Sequence, residues 1–150
     1  MQPTIIYKEI GEEYAHEVTH IVADLLDELG EQWKLEDLEK TVILLMQGDM
    51  TQSFGAFDGE EMVGSLSVYL SPELWDHNKT TASEAYWYVK PEYRGKVGSE
   101  LLDFVEKNIK ADTIRFGLGH SGLVKYMSRH GYTPIKTIVE KDLWPQDHSK

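Results

Sequence analysis

Apolar positions recur at two spacings along this chain, and the switches between them mark its elements. Thr4 to Ile10 reads as a short strand closed by Gly11. Tyr14, Val18, Ile21, Val22, Leu25, Leu26 and Leu29 then return every three or four residues, which predicts one face of a helix, with Gly30 placed to stop it. A second stripe, Leu35, Leu38, Val42, Leu45 and Met46, predicts a helix running to about Gln47 and closed by Gly48. Ser53 to Phe57, the Asp58-Gly59 pair and Met62 to Leu70 form the pattern of an antiparallel hairpin, because Asp-Gly tolerates the backbone angles of a tight turn.

The second half alternates strands with helices. Ser71 to Thr81 carries Pro72, Asn78 and many polar residues and is expected to be a loop before a strand from Ser83 to Val89, ended by Pro91. Val97, Leu101, Val105 and Ile109 place a helix over Lys96 to Ala111, followed by a strand at Thr113 to Leu118. A helix over Gly122 to His130 meets Gly131, a last strand covers Pro134 to Leu143, and Trp144 to Lys150 is expected to be a loose tail. The order is β-α-α-β-β-β-α-β-α-β, an α/β arrangement of mixed type. Helix-linked strands are expected to be parallel and the hairpin strands antiparallel, giving one mixed, mostly antiparallel sheet covered by about four helices.

Composition narrows the chemistry. The 150 residues suffice for one domain with its own core, and 41% apolar with 27% charged residues is globular composition. Without cysteine there is no disulfide framework, no thiolate metal site and no cysteine nucleophile. Met1-Gln-Pro-Thr lacks the basic and apolar regions of a signal peptide, and no apolar run approaches the ~20 residues of a membrane span, so a cytoplasmic location away from membranes is expected. A formal charge of −11 argues against nucleic acid as a partner. Between residues 90 and 96 the sign reverses, with Lys90, Arg94 and Lys96 against Glu92, so an anion is expected to dock there.

That reversal falls inside the most informative stretch, Glu84-Ala-Tyr-Trp-Tyr-Val-Lys-Pro-Glu-Tyr-Arg-Gly-Lys-Val-Gly-Ser-Glu-Leu-Leu102. Its pattern is strand, basic glycine turn, helix. Glycine lets the backbone approach a ligand, and the first turn of a helix offers unpaired N–H groups at a positive dipole end, a place for a diphosphate. Gly95 and Gly98 are equally able to make nothing more than a tight strand-to-helix turn.

The stretch resembles the acetyl-CoA-binding motif of the GNAT acyltransferase superfamily, strand, Val-x-Pro-x-x-Arg-Gly-x-Gly-x-Gly/Ala, apolar helix; Ser128-Arg-His-Gly-Tyr132 resembles its terminal helix, glycine and aromatic residue. The resemblance implies a single GNAT-like domain over residues 1–150. Acetyl-CoA would be the co-substrate and a small-molecule or peptide amine the acceptor, with no metal and with a homodimer as an option. Backbone groups of Trp87, Tyr88 and Val89 would hold the pantetheine arm, and Arg94, Gly95, Lys96, Val97, Gly98 and Ser99 would wrap the pyrophosphate. Glu84 stands where the family often has a base for the ammonium acceptor, whose reference pKa is near ~10.4; otherwise it is a solvated strand-end carboxylate. Tyr86, Trp87 and Tyr88 would line a substrate pocket or simply make a good strand.

The sequence departs from the motif at the glycine turn and at two further positions. Read without a gap, Val97 and Ser99 occupy two glycine positions, whereas the Val97 and Leu101 stripe is better served by a turn one residue shorter, with Gly98 as the second glycine. Met127 falls where the family often has the tyrosine that protonates the leaving thiolate, leaving its neighbour Tyr126 as candidate acid or as a packing residue. His120 replaces a family asparagine and is either a proton shuttle or structural. These departures keep open a domain that binds a coenzyme or partner without turnover. His16-Glu17-Val18-Thr19-His20 also matches the H-E-x-x-H zinc peptidase pattern, but at ~100° per residue both histidines lie opposite the apolar stripe and should face water.

Overall fold

The computed structural model describes residues 4–117, 121–135 and 139–143. They run β1 (Ile5–Ile10), α1 (Ala15–Glu28), α2 (Leu35–Gln47), β2 (Thr51–Asp58), β3 (Glu61–Glu73), β4 (Asp76–Val89), α3 (Lys96–Asn108), β5 (Thr113–Arg115) and α4 (Ser121–Arg129). Two compact units result, Met1–Phe116 and Gly117–Lys150.

The first unit holds a five-stranded mixed sheet in the order β1-β2-β3-β4-β5. The first four strands are antiparallel to their neighbours, and β5 is parallel to β4 because α3 carries the chain back across the sheet. The fold class read from the sequence is therefore found: mixed α/β, four helices, mostly antiparallel. Gly59 makes the β2–β3 turn at φ +63, as the Asp58-Gly59 pair predicts.

Helices α1 and α2 bury Val18, Ile21, Leu38 and Val42 in one cluster with Phe57, Met62, Tyr86 and Tyr88 of the sheet. Helix α3 lies over β1, β2 and β3, burying Val97, Leu101, Leu102 and Val105. Its Phe104 ring meets those of Tyr7 and Phe54, with centroids 6.2 and 6.1 Å away. Each residue of these stripes removes apolar area from water at ~25 cal/mol per Å², which is what fixes the helices on the sheet.

Four sequence expectations change. Ser71 to Thr81 is a hairpin arm, not a loop: β3 continues to Glu73 and β4 begins at Asp76, with Pro72 opposite Thr80. The arm runs past the helices, so His77, Asn78 and Lys79 are exposed and no apolar alternation announces a strand. Helix α3 stops at Asn108, where Ile109 turns extended (ψ 141), and β5 closes at Arg115. Of the last strand expected over Pro134–Leu143, the described residues 134–135 and 139–143 carry no strand, and residues 136–138 lie outside the described ones. The expected tail, 144–150, lies outside them as well.

The second unit contains α4. Its Met127 is buried, and the Tyr126 and His130 rings lie 4.5 Å apart between centroids.

Candidate functional site

Strand β4 leaves its neighbour half-way. Its strand register with β5 covers Thr81, Ala82 and Ser83. The β3 side remains paired throughout, from Val68 opposite Glu84 to Gly64 opposite Val89. The result is five residues of strand, Ala85 to Val89, that no strand among the described residues pairs on that side. The Lys90 N–H reaches the Val63 carbonyl of β3 at 2.9 Å. By strand alternation Tyr88 also turns its backbone to β3, while Trp87 and Val89 turn theirs to the open edge.

A bulge sits at the start of this edge. Tyr86 faces Ser67 while Glu84 faces Val68, so Ala85 is an extra residue and the strand is re-aimed just after Glu84. Glu84 is half-buried. Of the three aromatics expected to line a pocket, Tyr86 and Tyr88 are core residues instead, 6% and 7% exposed and packed beneath α1 and α2. Tyr86 spends its phenol on Ser65 at 2.9 Å, and burial pushes that phenol up to about 12. Only Trp87 remains half-exposed, its ring 5.3 Å from that of Phe116.

The edge runs directly into the glycine turn. Pro91–Tyr93 makes one tight 3-10 turn, and Arg94 is extended. Gly95 then takes φ +94 and ψ −95, a conformation that side-chain-bearing residues rarely adopt, and α3 begins at Lys96. The Ser99 N–H bonds to the Gly95 carbonyl at 3.0 Å, which leaves the N–H groups of Lys96, Val97 and Gly98 as the unpaired first turn of the helix. Open space stands where a Cβ would lie on Gly95 and on Gly98, so a ligand can reach the backbone there. Val97 is buried in register with Leu101 and Val105, the phase of the shorter turn with Gly98 as second glycine.

Each of the three basic residues read from the sequence has a carboxylate partner. Lys90 meets Glu61 at 2.9 Å, and Lys96 lies 3.8 Å from Glu100. Arg94 grips Glu28 at the end of α1 through both terminal nitrogens, at 2.8 and 2.6 Å, and donates Nε–H to the Val89 carbonyl at 2.9 Å. The bonded Arg94 guanidinium holds the Glu28 carboxyl below its usual range. What remains for an anion is the array of amides, whose positive end needs no free side chain.

The other sequence candidates lie on α1, in the second unit or outside the described residues. His16 and His20 are exposed, with rings 4.6 Å apart, and share an open cleft of about 250 Å³ with Glu17, Glu60 and Glu61. Among the described residues no three of His, Cys, Asp and Glu are grouped to hold a metal ion. In the second unit the Tyr126 hydroxyl is buried without a hydrogen-bond partner among the described residues. His120 lies outside the described residues. Glu28 was missed in the sequence, since nothing in its surroundings marks it from the other carboxylates of α1.

Residues 16–121 match the acetyltransferase (GNAT) family, a span that takes in the open edge, the glycine turn and α3. The chain belongs to that family. Solved structures share the fold of this GNAT chain at low identity. A GNAT family acetyltransferase of Staphylococcus aureus is 19% identical with a TM-score of 0.72, over 93% of this chain and 99% of that one. A predicted acetyltransferase of Clostridium acetobutylicum, solved with acetyl-CoA, is 12% identical with a TM-score of 0.70, over 93% and 97%. An aminoglycoside acetyltransferase from an uncultured soil metagenomic sample, solved with sisomicin, is 12% identical with a TM-score of 0.72, over 92% and 94%. At such identities the likeness carries the fold alone. No curated protein matches this GNAT chain by sequence. No helix among its described residues is long and apolar enough to cross a membrane.

Proposed function

We propose that this GNAT chain is an N-acetyltransferase that moves an acetyl group from acetyl-CoA to a primary amine by direct attack. The observation that carries the reading is the continuity of the β4 edge from Ala85 to Val89, unpaired among the described strands, with the positive-φ Gly95 and the unpaired amides of Lys96, Val97 and Gly98. One length of chain thus offers strand-edge hydrogen bonds to an amide-bearing arm and helix-terminal N–H groups to a diphosphate. The membership of residues 16–121 in an acetyltransferase family supports the same assignment.

The residues divide the work as follows. Outward backbone groups of Trp87 and Val89 hold the pantetheine arm, and the turn from Arg94 to Ser99 holds the pyrophosphate. An edge N–H near Trp87 to Val89 lies where charge develops on the thioester oxygen, and preoriented donors of this kind are usually the largest catalytic term. Glu84, half-buried beside the Ala85 bulge, takes the proton from the ammonium acceptor, directly or through water. The amine nitrogen bonds to the acetyl carbon, the carbon–sulfur bond breaks, and a proton goes to the departing thiolate. A net charge of −11 favours cationic acceptors, and the soil aminoglycoside acetyltransferase solved with sisomicin is one neighbour in fold with an amine-rich ligand.

The test joins melting with turnover. A ligand at 100 times its dissociation constant stabilises by ~2.7 kcal/mol, so CoA and acetyl-CoA should both raise Tm. Acetyl-CoA with a panel of polyamines, aminoglycosides and lysine peptides should release free thiol. Stabilisation without thiol release on any amine would replace catalysis by coenzyme binding alone, and no stabilisation at all would end the reading.

A further inference from the structure

The Arg94 guanidinium reaches toward the end of α1 and the end of β4. Its Nε–H bonds to the Val89 carbonyl, both terminal nitrogens bond to Glu28, and its carbon lies 5.1 Å from the centre of the Tyr88 ring. Three anchors on two segments, β4 and α1, hold it. Because the Val89 carbonyl faces the open edge, Arg94 also caps that edge at its last residue.

Glu28 stands at an unusual place for a carboxylate. It is the final residue of α1, where the helix dipole disfavours negative charge, and the last turn of α1 contains no basic residue. Its neighbour Asp27 accepts the indole N–H of Trp33 at 2.7 Å. Two consecutive carboxylates therefore tie the end of α1 to two other segments: Asp27 to the connection before α2, Glu28 to the glycine turn.

We propose that Glu28 is a positioning residue for coenzyme binding: it holds Arg94, and through Arg94 the Val89–Gly95 turn, in the form that presents the amides of Lys96, Val97 and Gly98. On this view Arg94 is a pin rather than the diphosphate's counter-ion, since Glu28 already neutralises it. The proposal rests on the acetyl-CoA reading for its functional consequence and not for its structural one. A charge partner that had to be displaced by the coenzyme would act with the opposite sign, because its removal would then tighten binding.

Two measurements on the full chain decide it. Hydrogen exchange without ligand should speed up by about 10-fold at Gly95 through Gly98 in Glu28→Gln, with the amides of β2 and β3 unchanged. Calorimetric titration with CoA should weaken by about 5-fold in Glu28→Gln and in Arg94→Gln, with the double variant no worse than the weaker single one. Wild-type exchange at the turn, or CoA binding as tight as or tighter than wild type in Glu28→Gln, would overturn the pin. Faster exchange in a protein that takes up no CoA in any form would sustain the pin and remove the acetyl-CoA reading. Should Glu28→Gln not fold, Glu28→Asp, which draws the carboxylate back by one methylene, is subject to the same two criteria.

Discussion

The phenol of Tyr86 and the hydroxyl of Ser65 lie 2.9 Å apart in the middle of the sheet, and Ser65 donates its single proton to the Phe54 carbonyl at 2.7 Å. Tyr86 is therefore the donor to Ser65. The chain of bonds crosses β4, β3 and β2 within the core, directly before the open edge, so the strand that carries the site is keyed to its neighbours by polar groups as well as by apolar packing.

Removing the two ends of that chain should cost different amounts. Tyr86→Phe deletes a donor and leaves Ser65 bonded to Phe54, a loss of about 1 kcal/mol. Ser65→Ala takes away both the acceptor of Tyr86 and the donor to Phe54 in a buried site, a loss of about 1–3 kcal/mol. Urea unfolding of the two variants should rank them in that order; equal midpoints would mean that the bonds contribute nothing net.

Alkaline pH should destabilise the fold in a defined window. Tyr86 and Tyr7 are pushed to about 12 chiefly by burial, the latter also by Glu100, and Tyr93 is pushed to about 12 chiefly by its bond to Asp58, 2.6 Å away. Each is a raised folded-state pKa, so its contribution is complete below the ordinary value of 10.0 and is lost as pH rises toward 12. Denaturant midpoints should be level up to about pH 10 and fall above it, less steeply in Tyr86→Phe. A midpoint unaffected up to about pH 11.5 in urea would contradict the assignment.

Gly95→Ala tests the turn without adding a clash. Open space surrounds the missing Cβ, so the penalty comes from φ +94 alone, about 1–2 kcal/mol of backbone strain. If the turn relaxes to relieve it, the first amides of α3 move and CoA binding weakens by about 10-fold. Gly98→Ala is the control: Gly98 is helical with free space beside it, so the protein should be no less stable, and any loss of CoA affinity there reports contact with the ligand itself.

The elements legible in the sequence were those that bury a regular stripe. Val18 and Ile21, Leu38 and Val42, and Val97 with Leu101 and Val105 face the core as their spacing predicts, because solvent exclusion imposes helical periodicity on the sequence. The arm of β4 from Asp76 to Thr80 was illegible for the converse reason: it lies beyond the core, and its strand form rests on backbone pairing, which leaves no periodicity in side chains. At the site, the Gly95 turn was legible because positive φ selects glycine. The charge balance was not: Glu28 is 66 residues from Arg94 along the chain, and only the fold brings them together. The split of β4 from β5 was hidden likewise, since a strand edge that pairs and one that stays open share the same residues.

Glu84→Gln separates the proposed chemistry from binding. The amide keeps the shape and polarity of the carboxylate beside the Ala85 bulge but cannot accept a proton, and the coenzyme contacts assigned to Val89 and the α3 amides lie elsewhere. The apparent dissociation constant for CoA should therefore stay within about 2-fold of wild type, while kcat with a good amine falls by about 100-fold or more, the usual worth of a positioned base. The pH–rate profile should also lose the limb set by ionisation of the base, and activity should return in part at high pH, where more of the acceptor is already the free amine. A profile and kcat identical to wild type would leave the acceptor's proton to water and reduce Glu84 to a residue of the strand.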